Sequence, residues 1–166
     1  MMGFTFCDVT AAEMGVLWSG TDRSLLPAKR INRYQVPGRD GYYDVSGTYD
    51  NRVITGTVSF IGTTRAAMRA RARAVAQWLS GEGELIFDDE PGRAYTARVI
   101  DSVNLDQLLR TGRSDVSFDC APFAEATAYT EVQELTAALP VSLAVEVIGT
   151  QETPCRIDIT MRGSAT

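Results

Sequence analysis

The chain of 166 residues contains no histidine. Histidine is the commonest general base of enzymes and the commonest ligand of transition metals in proteins. Its absence excludes every Ser-His or Cys-His nucleophile and leaves only carboxylates, lysine and tyrosine as catalytic groups. We therefore predict a protein that is not an enzyme and that holds neither a metal ion nor a cofactor.

Cysteine is scarce. Cys7, Cys120 and Cys155 lie far apart in the chain and form no Cys-x-x-Cys pair. This spacing disfavours both a zinc site and a framework of disulfides. The three thiols are expected to serve as small buried hydrophobic side chains.

The sequence also lacks a surplus of basic residues and a long apolar run. Its 16 Lys and Arg stand against 21 Asp and Glu, which gives a net charge of −5 and argues against general affinity for nucleic acid. The longest apolar candidate, residues 141–149, is interrupted by Glu146, so we predict no membrane span. The N-terminus has no basic start followed by an apolar run, and we expect a soluble protein folded in the cytoplasm.

Alternation of apolar and polar residues dominates what the sequence does contain. In residues 52–60, RVITGTVSF, Ile54, Val58 and Phe60 fall on one side and the threonines and serine on the other. A period of two lets a strand bury one face and expose the other to water. The same pattern occurs in residues 4–7, 32–36, 84–87, 94–103, 114–120, 144–149 and 155–161. The chain is predicted to be mainly β.

One segment, residues 63–81, has the period of a helix instead. Thr63 or Thr64 can cap its start, and Gly81 can end it in the left-handed conformation. Its apolar positions form one helical face with Trp78 beside them, namely Met68, Ala72, Val75 and Leu79. An amphipathic helix packed on the sheet is predicted.

The helical segment carries the only concentrated basic feature of the sequence, Arg65, Arg69, Arg71 and Arg73. A solvated outer face is the preferred interpretation, because arginine stems also cover apolar surface. Contact with an acidic partner protein is the first alternative. Contact with nucleic acid is the second, and the acidic total charge argues against it.

Three consecutive carboxylates, Asp88, Asp89 and Glu90, lie between two strand-like segments. They could hold a hard cation, form an acid/base pair, or belong to a turn. The alternate carboxylates, glycine and closing glutamate of a calcium loop are missing. Pro91 and Gly92 supply turn dihedrals, so we favour a hairpin turn, whose adjacent carboxylates point apart and do not form a hydrolase pair.

Residues 36–52 combine Pro-Gly, Asp-Gly and Ser-Gly dipeptides with Tyr42, Tyr43 and Tyr49, which indicates a long loop. Aromatic residues on such a loop often contact another protein or a sugar, and they can also cover the end of a sandwich. We favour contact with a protein, because no acid or base residues gather around the tyrosines.

The remaining connections are less informative. Residues 20–30 are interpreted as an irregular connection anchored by Leu25 and Leu26, and residues 106–113 as a loop between two strands. The pattern changes around residues 130–140, which suggests a domain boundary.

Four motifs, in this order and spacing, resemble the N-terminal domain of the distal tail protein family of long-tailed phages with non-contractile tails. They are LLPAKR at 25–30, VPGRDGYYDVSG at 36–47, WLSGEGELIFDDEPGRAYTARV at 78–99 and VSFDCAPF at 116–123. Together they span most of residues 1–130. The run from WLSG to DDEPGR is the most specific of them.

The resemblance implies a β-sandwich or barrel-like domain related to phage tail-tube proteins, with one flanking helix at about 64–80 and a short C-terminal β segment. It also implies a hexameric ring at the distal end of the tail, which joins the tail tube to the baseplate hub or tail tip. The expected partners are other copies of the chain, the tail tube protein and the baseplate hub or tail-associated protein. The tape-measure protein and DNA would pass through the lumen without specific binding.

Residues 1–135 are expected to form the ring-forming domain, and residues 136–166 a C-terminal β extension or the truncated start of a second domain. Longer members of the family carry a galectin-like sandwich there, which two or three strands cannot build. The attachment of receptor-binding proteins is therefore not expected of this chain. The protein would be located in the virion, at the tail tip, after assembly in the host cytoplasm.

The candidate structural and interface residues form three groups. The loop group is Pro37, Gly38, Arg39, Asp40, Gly41, Tyr42 and Tyr43. The helix group is Trp78 and Leu79, which would dock the helix on the sheet. The hairpin group is Asp88, Asp89, Pro91, Gly92 and Arg93.

The alternative function is a carbohydrate-binding β-sandwich module in which Tyr42, Tyr43, Tyr49 and Trp18 stack on sugar rings. Such modules pair their aromatic platforms with dedicated polar groups. The sequence offers no convincing set of these.

Overall fold

The segments in which apolar and polar residues alternate form antiparallel strands, and one face of a helix packs against them. The computed structural model describes residues 3–60, 64–101, 110–126, 149–150 and 158–160. The strands of these residues are, in chain order, Phe4–Phe6 (β1), Val9–Thr10 (β2), Val16–Asp22 (β3), Lys29–Tyr34 (β4), Tyr43–Tyr49 (β5), Arg52–Phe60 (β6), Glu82–Phe87 (β7), Arg93–Val99 (β8), Arg113–Cys120 (β9) and Glu125–Ala126 (β10). The helix Arg65–Trp78 (α1) lies between β6 and β7. The predicted mainly β fold with a flanking helix is confirmed.

The strands belong to two sheets. An eight-stranded sheet has the order β2-β1-β7-β8-β9-β6-β3, with β10 paired to β8; within the described residues it is not closed, and β2 and β3 are its edges. A two-stranded sheet contains β4 and β5 alone. All of the pairings are antiparallel.

The chain divides into two compact units, Met1–Ala128 and Tyr129–Thr166. All of the strands named above belong to the first unit. The predicted segment 136–166, with its strands at 144–149 and 155–161, lies outside the described residues except for a few positions. It stays a prediction.

One face of the large sheet is apolar because every second residue of its strands is buried. β6 pairs with β9 over eight residues, from Arg52 opposite Cys120 to Ser59 opposite Arg113. The core cluster is Phe4, Phe6, Ala11, Val16, Trp18, Ile54, Val58, Phe60, Val75, Leu79, Leu85, Phe87, Tyr95, Ala97, Val116, Phe118 and Cys120. Val75 and Leu79 place the apolar face of α1 in this cluster.

Aromatic rings connect the helix to the sheet. The Trp78 ring stacks on Phe4 at 5.5 Å between centroids, and its Nε1 donates a hydrogen bond to the Phe6 carbonyl at 2.8 Å. Trp18 packs edge-on against Phe4 at 5.0 Å and is almost fully buried, with 1% of its surface exposed. The core is therefore built around these rings.

The two ends of α1 agree only in part with the caps that were predicted from the sequence. Thr64 is the N-cap, and its hydroxyl accepts a hydrogen bond from the Ala67 backbone N–H at 3.2 Å. The prediction that Gly81 ends the helix in the left-handed conformation is wrong, because its φ is not positive. The Ser80 hydroxyl and backbone N–H both donate to the Gln77 carbonyl, so the last turn is satisfied without a left-handed residue.

Four strands were missed by the sequence patterns, namely the two-residue strands β2 and β10 and the seven-residue strands β3 and β5. β3 ends at Asp22 with a register shift after Ser19, and Gly20 has a φ of +66°, which breaks the alternation. β5 is exposed on both faces and so carries no period of two. The interpretation of residues 20–30 as an irregular connection is correct only for residues 23–28, between β3 and β4, and Leu25 and Leu26 are exposed rather than anchoring.

The predicted loop at residues 106–113 overlaps the described residues only from Arg110 onward. Residues 106–109 lie outside the part of the chain that the structure describes. Arg110 and Thr111 have helical backbone, and β9 begins at Arg113. The loop prediction is therefore wrong for these last positions.

The cysteines differ in their surroundings. Cys120 is fully buried, and this burial, together with the charge of Asp119, raises the pKa of its thiol to about 12. Cys7 is half-buried, and burial raises its pKa as well. Cys120 matches the expected small hydrophobic side chain, while Cys155 lies outside the described residues.

The turn between β1 and β2 contains two non-glycine residues with positive φ, Cys7 at +48° and Asp8 at +63°. Both belong to a two-residue hairpin loop, in which these dihedrals suit Asn-Gly or Asp-Gly. We expect Asp8→Gly to raise the free energy of unfolding by about 0.5–1 kcal/mol, because glycine adopts this conformation without a Cβ penalty.

Thermal unfolding followed by circular dichroism checks this expectation. Asp101→Gly is the matched control, since it removes the same charge from an exposed residue whose φ is not positive. It should lower stability slightly through the entropy of the unfolded chain. An equal change in both variants would contradict the strain assigned to Asp8.

Candidate assembly surface

The two-stranded sheet and its connecting loop, residues 29–49, form a separate ribbon, which we call the arm. Every residue of β5 is exposed, and Ile31 alone is half-buried in β4. The pairing runs from Lys29 opposite Tyr49 to Tyr34 opposite Tyr43. The strands of the arm thus pair with each other and with no strand of the large sheet among the described residues.

Exposed apolar side chains concentrate on the arm and on the segment before it. Of the eleven large hydrophobic residues that are exposed in the described part of the chain, eight fall between residues 25 and 49. They are Leu25, Leu26, Tyr34, Val36, Tyr42, Tyr43, Val45 and Tyr49. Such a concentration marks an interaction site more often than a chance distribution does.

A register shift near the middle of the arm increases this exposure. Asn32 pairs with Ser46 and Arg33 with Asp44, which leaves Val45 as the extra residue of a bulge. Val45 is 71% exposed. Bulges bend a strand and redirect a side chain, and here the redirected side chain is apolar.

The loop group of predicted residues lies together at the end of the arm. Gly38 and Gly41 have φ of +81° and +86°, values that favour glycine. The Arg39 backbone N–H donates to the Val36 carbonyl at 3.2 Å, which closes a turn through Pro37. Asp40 lies in the same exposed loop.

Guanidinium groups cover two of the loop tyrosines. The Arg33 guanidinium lies 4.2 Å from the centroid of Tyr42, and that of Arg39 lies 4.5 Å from the centroid of Tyr43. Cation–π contacts of this length hold the rings in place. One face of each of these two rings is therefore occupied by a guanidinium, while both side chains remain exposed. Trp18 was the fourth aromatic residue of the alternative carbohydrate-binding function. It is buried in the core, so the prediction that it stacks on a sugar ring is wrong.

The base of the arm contacts other parts of the first unit. Arg30 forms an ion pair with Asp50 at 2.6 Å, and the Asp50 backbone N–H donates to the Ala28 carbonyl at 2.8 Å. Tyr49 packs edge-on against Phe123 at 5.1 Å between ring centroids. These contacts fix where the arm leaves the sheet, while its far end has none of them.

The acidic stretch forms the turn between β7 and β8, as the sequence predicted. Backbone hydrogen bonds of 3.0 Å join Glu90 to Phe87 and Arg93 to Glu90, so two tight turns follow each other. Asp88, Asp89, Pro91 and Gly92 are all exposed there. The hairpin group therefore lies together, whereas Trp78 and Leu79 belong to the core.

Arg23, which the sequence analysis did not single out, neutralises part of this turn. Its guanidinium forms an ion pair with Asp89, lies 3.6 Å from a Glu90 oxygen, and stacks over the Phe87 ring at 4.7 Å. The partners are about 66 positions apart in the chain, so no local pattern could have revealed the contact.

We expect Arg23→Ala to lower the free energy of unfolding by about 1 kcal/mol, because it removes both the ion pairs and the stacking on Phe87. Urea unfolding measures this change. Arg98→Ala is the matched control: Arg98 pairs with Asp119 at 2.9 Å but is 60% exposed, so its loss should cost at most about 0.5 kcal/mol. A larger loss of unfolding free energy in Arg98→Ala than in Arg23→Ala would contradict the role given to Arg23.

Two features are absent from the described residues. These residues contain no group of three or more Cys, Asp or Glu side chains arranged to hold a metal ion. They also contain no helix that is long and apolar enough to cross a membrane.

Comparison with known proteins gives a family match and a structural match. The family described as phage tail protein RIFT-related domain matches residues 17–120, which is more than half of the chain. The fold is similar to the crystal structure of the Dit protein of phage SPP1, with a TM-score of 0.59 and 15% sequence identity. That protein is described as a paradigm of the hub adsorption apparatus in phages that infect Gram-positive bacteria. No curated protein sequence matches the chain.

The structural match covers 72% of this chain and 49% of the SPP1 chain. This chain therefore spans part of that protein, in which about half of the residues have no counterpart here. At this level of identity, the likeness concerns the fold.

Proposed function

Because the chain belongs to the family of phage tail proteins with a RIFT-related domain, we propose that six copies of it form a ring at the distal end of a siphophage tail. The ring joins the tail tube on one side to the baseplate hub or tail tip on the other. The chain is then a structural protein of the virion without catalytic activity. Its partners are further copies of itself, the tube protein and the hub.

The exposed arm is the observation that carries this proposal. A two-stranded ribbon is at best marginally stable in water without further strands or a packed face. The large apolar side chains of this arm remain exposed, and no strand or helix among the described residues packs over Val45 and its neighbours in β5. A neighbouring subunit that covers the arm supplies the missing contacts, and repetition of one such head-to-tail contact closes a ring.

The open edges of the large sheet support the same conclusion. β2 and β3 end the sheet, and edge strands present unpaired backbone groups that proteins cover or shield. β2 has only two residues, whereas β3 has seven. We propose that the β3 edge lies in the subunit interface and that β2 is too short to need a cover.

The sheet face opposite α1 fits the wall of a channel. Residues that alternate with the core positions of β6 to β9 are mostly hydroxyls and carboxylates, namely Thr55, Thr57, Glu82, Glu84, Thr96, Asp115, Ser117 and Asp119, with Arg98 and Arg113. Four carboxylates against two guanidinium groups leave the face negative. We propose that this face lines the lumen, where DNA and the tape-measure protein pass without being held.

The division of the chain is also proposed. Residues 1–135 would form the ring, and residues 136–166 would extend it toward a neighbouring protein of the tail. The virion containing the ring would be assembled in the host cytoplasm.

Immunogold electron microscopy of virions that carry this protein tests the position of the ring. An antibody against the purified chain should place gold particles at the end of the tail remote from the head. Labelling along the whole tail would identify a tube protein instead, and labelling at the head would contradict the proposal. Virions without the gene product serve as the control for antibody specificity.

A further inference from the structure

The outer face of α1 carries a row of arginines that the proposed ring does not use. Arg65, Arg69 and Arg73 follow each other at intervals of four residues and are all exposed. Successive members are therefore about 6 Å apart along the helix. We call these three residues the arginine row. Arg71 lies on a different side of the helix, against Gly15.

The arginine row has no acidic partner in the described part of the chain. The ion pairs found there involve Arg23, Arg30, Arg33 and Arg98. The helix itself contains neither Asp nor Glu, and its first turn has no acidic residue. The three guanidinium groups therefore face solvent.

This arrangement costs the isolated chain stability. Like charges at intervals of four residues on a helix repel each other. Arg65 also lies in the first turn, where the helix dipole disfavours a positive charge. A solvent-exposed helix face with acidic residues between the arginines would be more stable than this one. We therefore infer that the arginine row binds a ligand outside this fold.

Charge and shape restrict that ligand. The four arginines of α1 leave 12 basic against 21 acidic residues in the rest of the chain, a net charge of −9 that repels nucleic acid. A parallel row of small exposed side chains, Ala66, Ala70 and Ala74, lies beside the arginines and lets another backbone approach. Guanidinium groups bind carboxylates with two parallel hydrogen bonds.

We propose that the arginine row docks an acidic helix of another protein, one that presents Asp or Glu side chains at intervals of one helical turn. The site lies on the side of the sheet opposite the proposed lumen, so the partner binds away from the passing DNA. It is independent of the arm, and its loss leaves ring closure unaffected.

A labelled peptide tests the docking site on the full chain. The probe is an alanine-based helix of about 20 residues, long enough to be helical, with Glu at every fourth position. Fluorescence anisotropy should show binding that weakens as the salt concentration rises from about 50 to about 300 mM. The same peptide with Gln in place of Glu, and a DNA duplex of about 20 base pairs, are the comparison ligands.

The variant Arg69→Glu separates docking from folding. It places a carboxylate between two arginines, so it should weaken peptide binding at least about tenfold and yet raise the melting temperature by about 1–2 °C. Asn51→Asp is the control, since it adds a negative charge at an exposed residue outside the helix. It should leave the peptide affinity within about twofold.

Three outcomes would overturn the proposal. Equal binding of the Glu and Gln peptides, or no binding of the Glu peptide at low salt, would show that the row does not recognise carboxylates. Tighter binding of the DNA duplex would assign the row to nucleic acid. A lower melting temperature for Arg69→Glu would show that the row serves the fold itself. None of these results bears on whether the arm closes a ring.

Discussion

Val45→Asp is expected to disperse the assembled protein into monomers while leaving the fold intact. Val45 is 71% exposed in the chain, so its replacement should change the free energy of unfolding by less than about 0.5 kcal/mol. In the proposed ring a neighbouring subunit covers this side chain. Burying a carboxylate there without a partner costs several kcal/mol at each interface.

The size of this effect follows from the number of interfaces. Each of the six contacts of a closed ring would lose the burial of a valine, about 1.5–3 kcal/mol, in addition to the desolvation of the carboxylate. Such a loss weakens each contact by more than about a hundredfold. Sedimentation velocity at matched concentrations measures the change.

Val53→Asp is the matched control for the arm. Val53 is also an exposed valine in a strand, but it lies on β6, opposite Asp119, in the face that we assign to the lumen. The control should retain the assembly of the unmodified chain. If Val45→Asp assembles as well as the unmodified chain, the arm is not part of the interface. If both variants disperse equally, any added charge is sufficient to break the assembly.

Gly56→Ala is expected to cause the largest loss of stability of any single-methyl addition to the sheet. A Cβ at Gly56 would lie 2.1 Å from the nearest atom of the Trp18 ring, a distance that real contacts do not reach. Trp18 has no free space to move into, since it is buried among Phe4, Phe87 and Phe118 and its Nε1 donates to the Thr21 hydroxyl at 2.6 Å. Overpacking of this kind costs about 3 kcal/mol or more.

Urea unfolding of two variants measures this effect. Gly81→Ala is the control, because a Cβ there meets nothing within 4 Å and φ is not positive. It should change stability by less than about 0.5 kcal/mol or raise it slightly. A similarly small change for Gly56→Ala would contradict the packing of Trp18 on this glycine.

A double variant shows whether the clash involves Trp18 itself. Trp18→Phe removes the larger ring, so it should make Gly56→Ala less costly in the combined variant than in the otherwise unmodified chain. Strict additivity of the two changes would mean that Gly56 clashes with something else.

The sequence predicted the parts of the fold that depend on local patterns. The strand at residues 52–60 was predicted with the bounds that the structure gives to β6, and the hairpin around Asp88 and Asp89 followed from its flanking alternation and turn residues. The capping by Thr64 was one of two stated alternatives. In each case the determinants lie within a few residues of each other.

What the sequence did not reveal depends on contacts between distant residues or on exposed strands. Residues 36–52, which include β5, were interpreted as a long loop, because β5 is exposed on both sides and its composition of glycine, serine and tyrosine resembles a turn. The contact of Arg23 with Asp89 and the fit of Trp18 over Gly56 join elements that meet only in the folded sheet. No periodicity encodes such pairings.

The oligomeric state of the purified full-length chain tests the central claim most directly. Native mass measurement combined with negative-stain electron microscopy should show a species of roughly 109 kDa, six times the 18.1 kDa chain, as six-fold rings with an open centre. A single compact species of 18.1 kDa at the highest attainable concentration would contradict an assembly built on the arm.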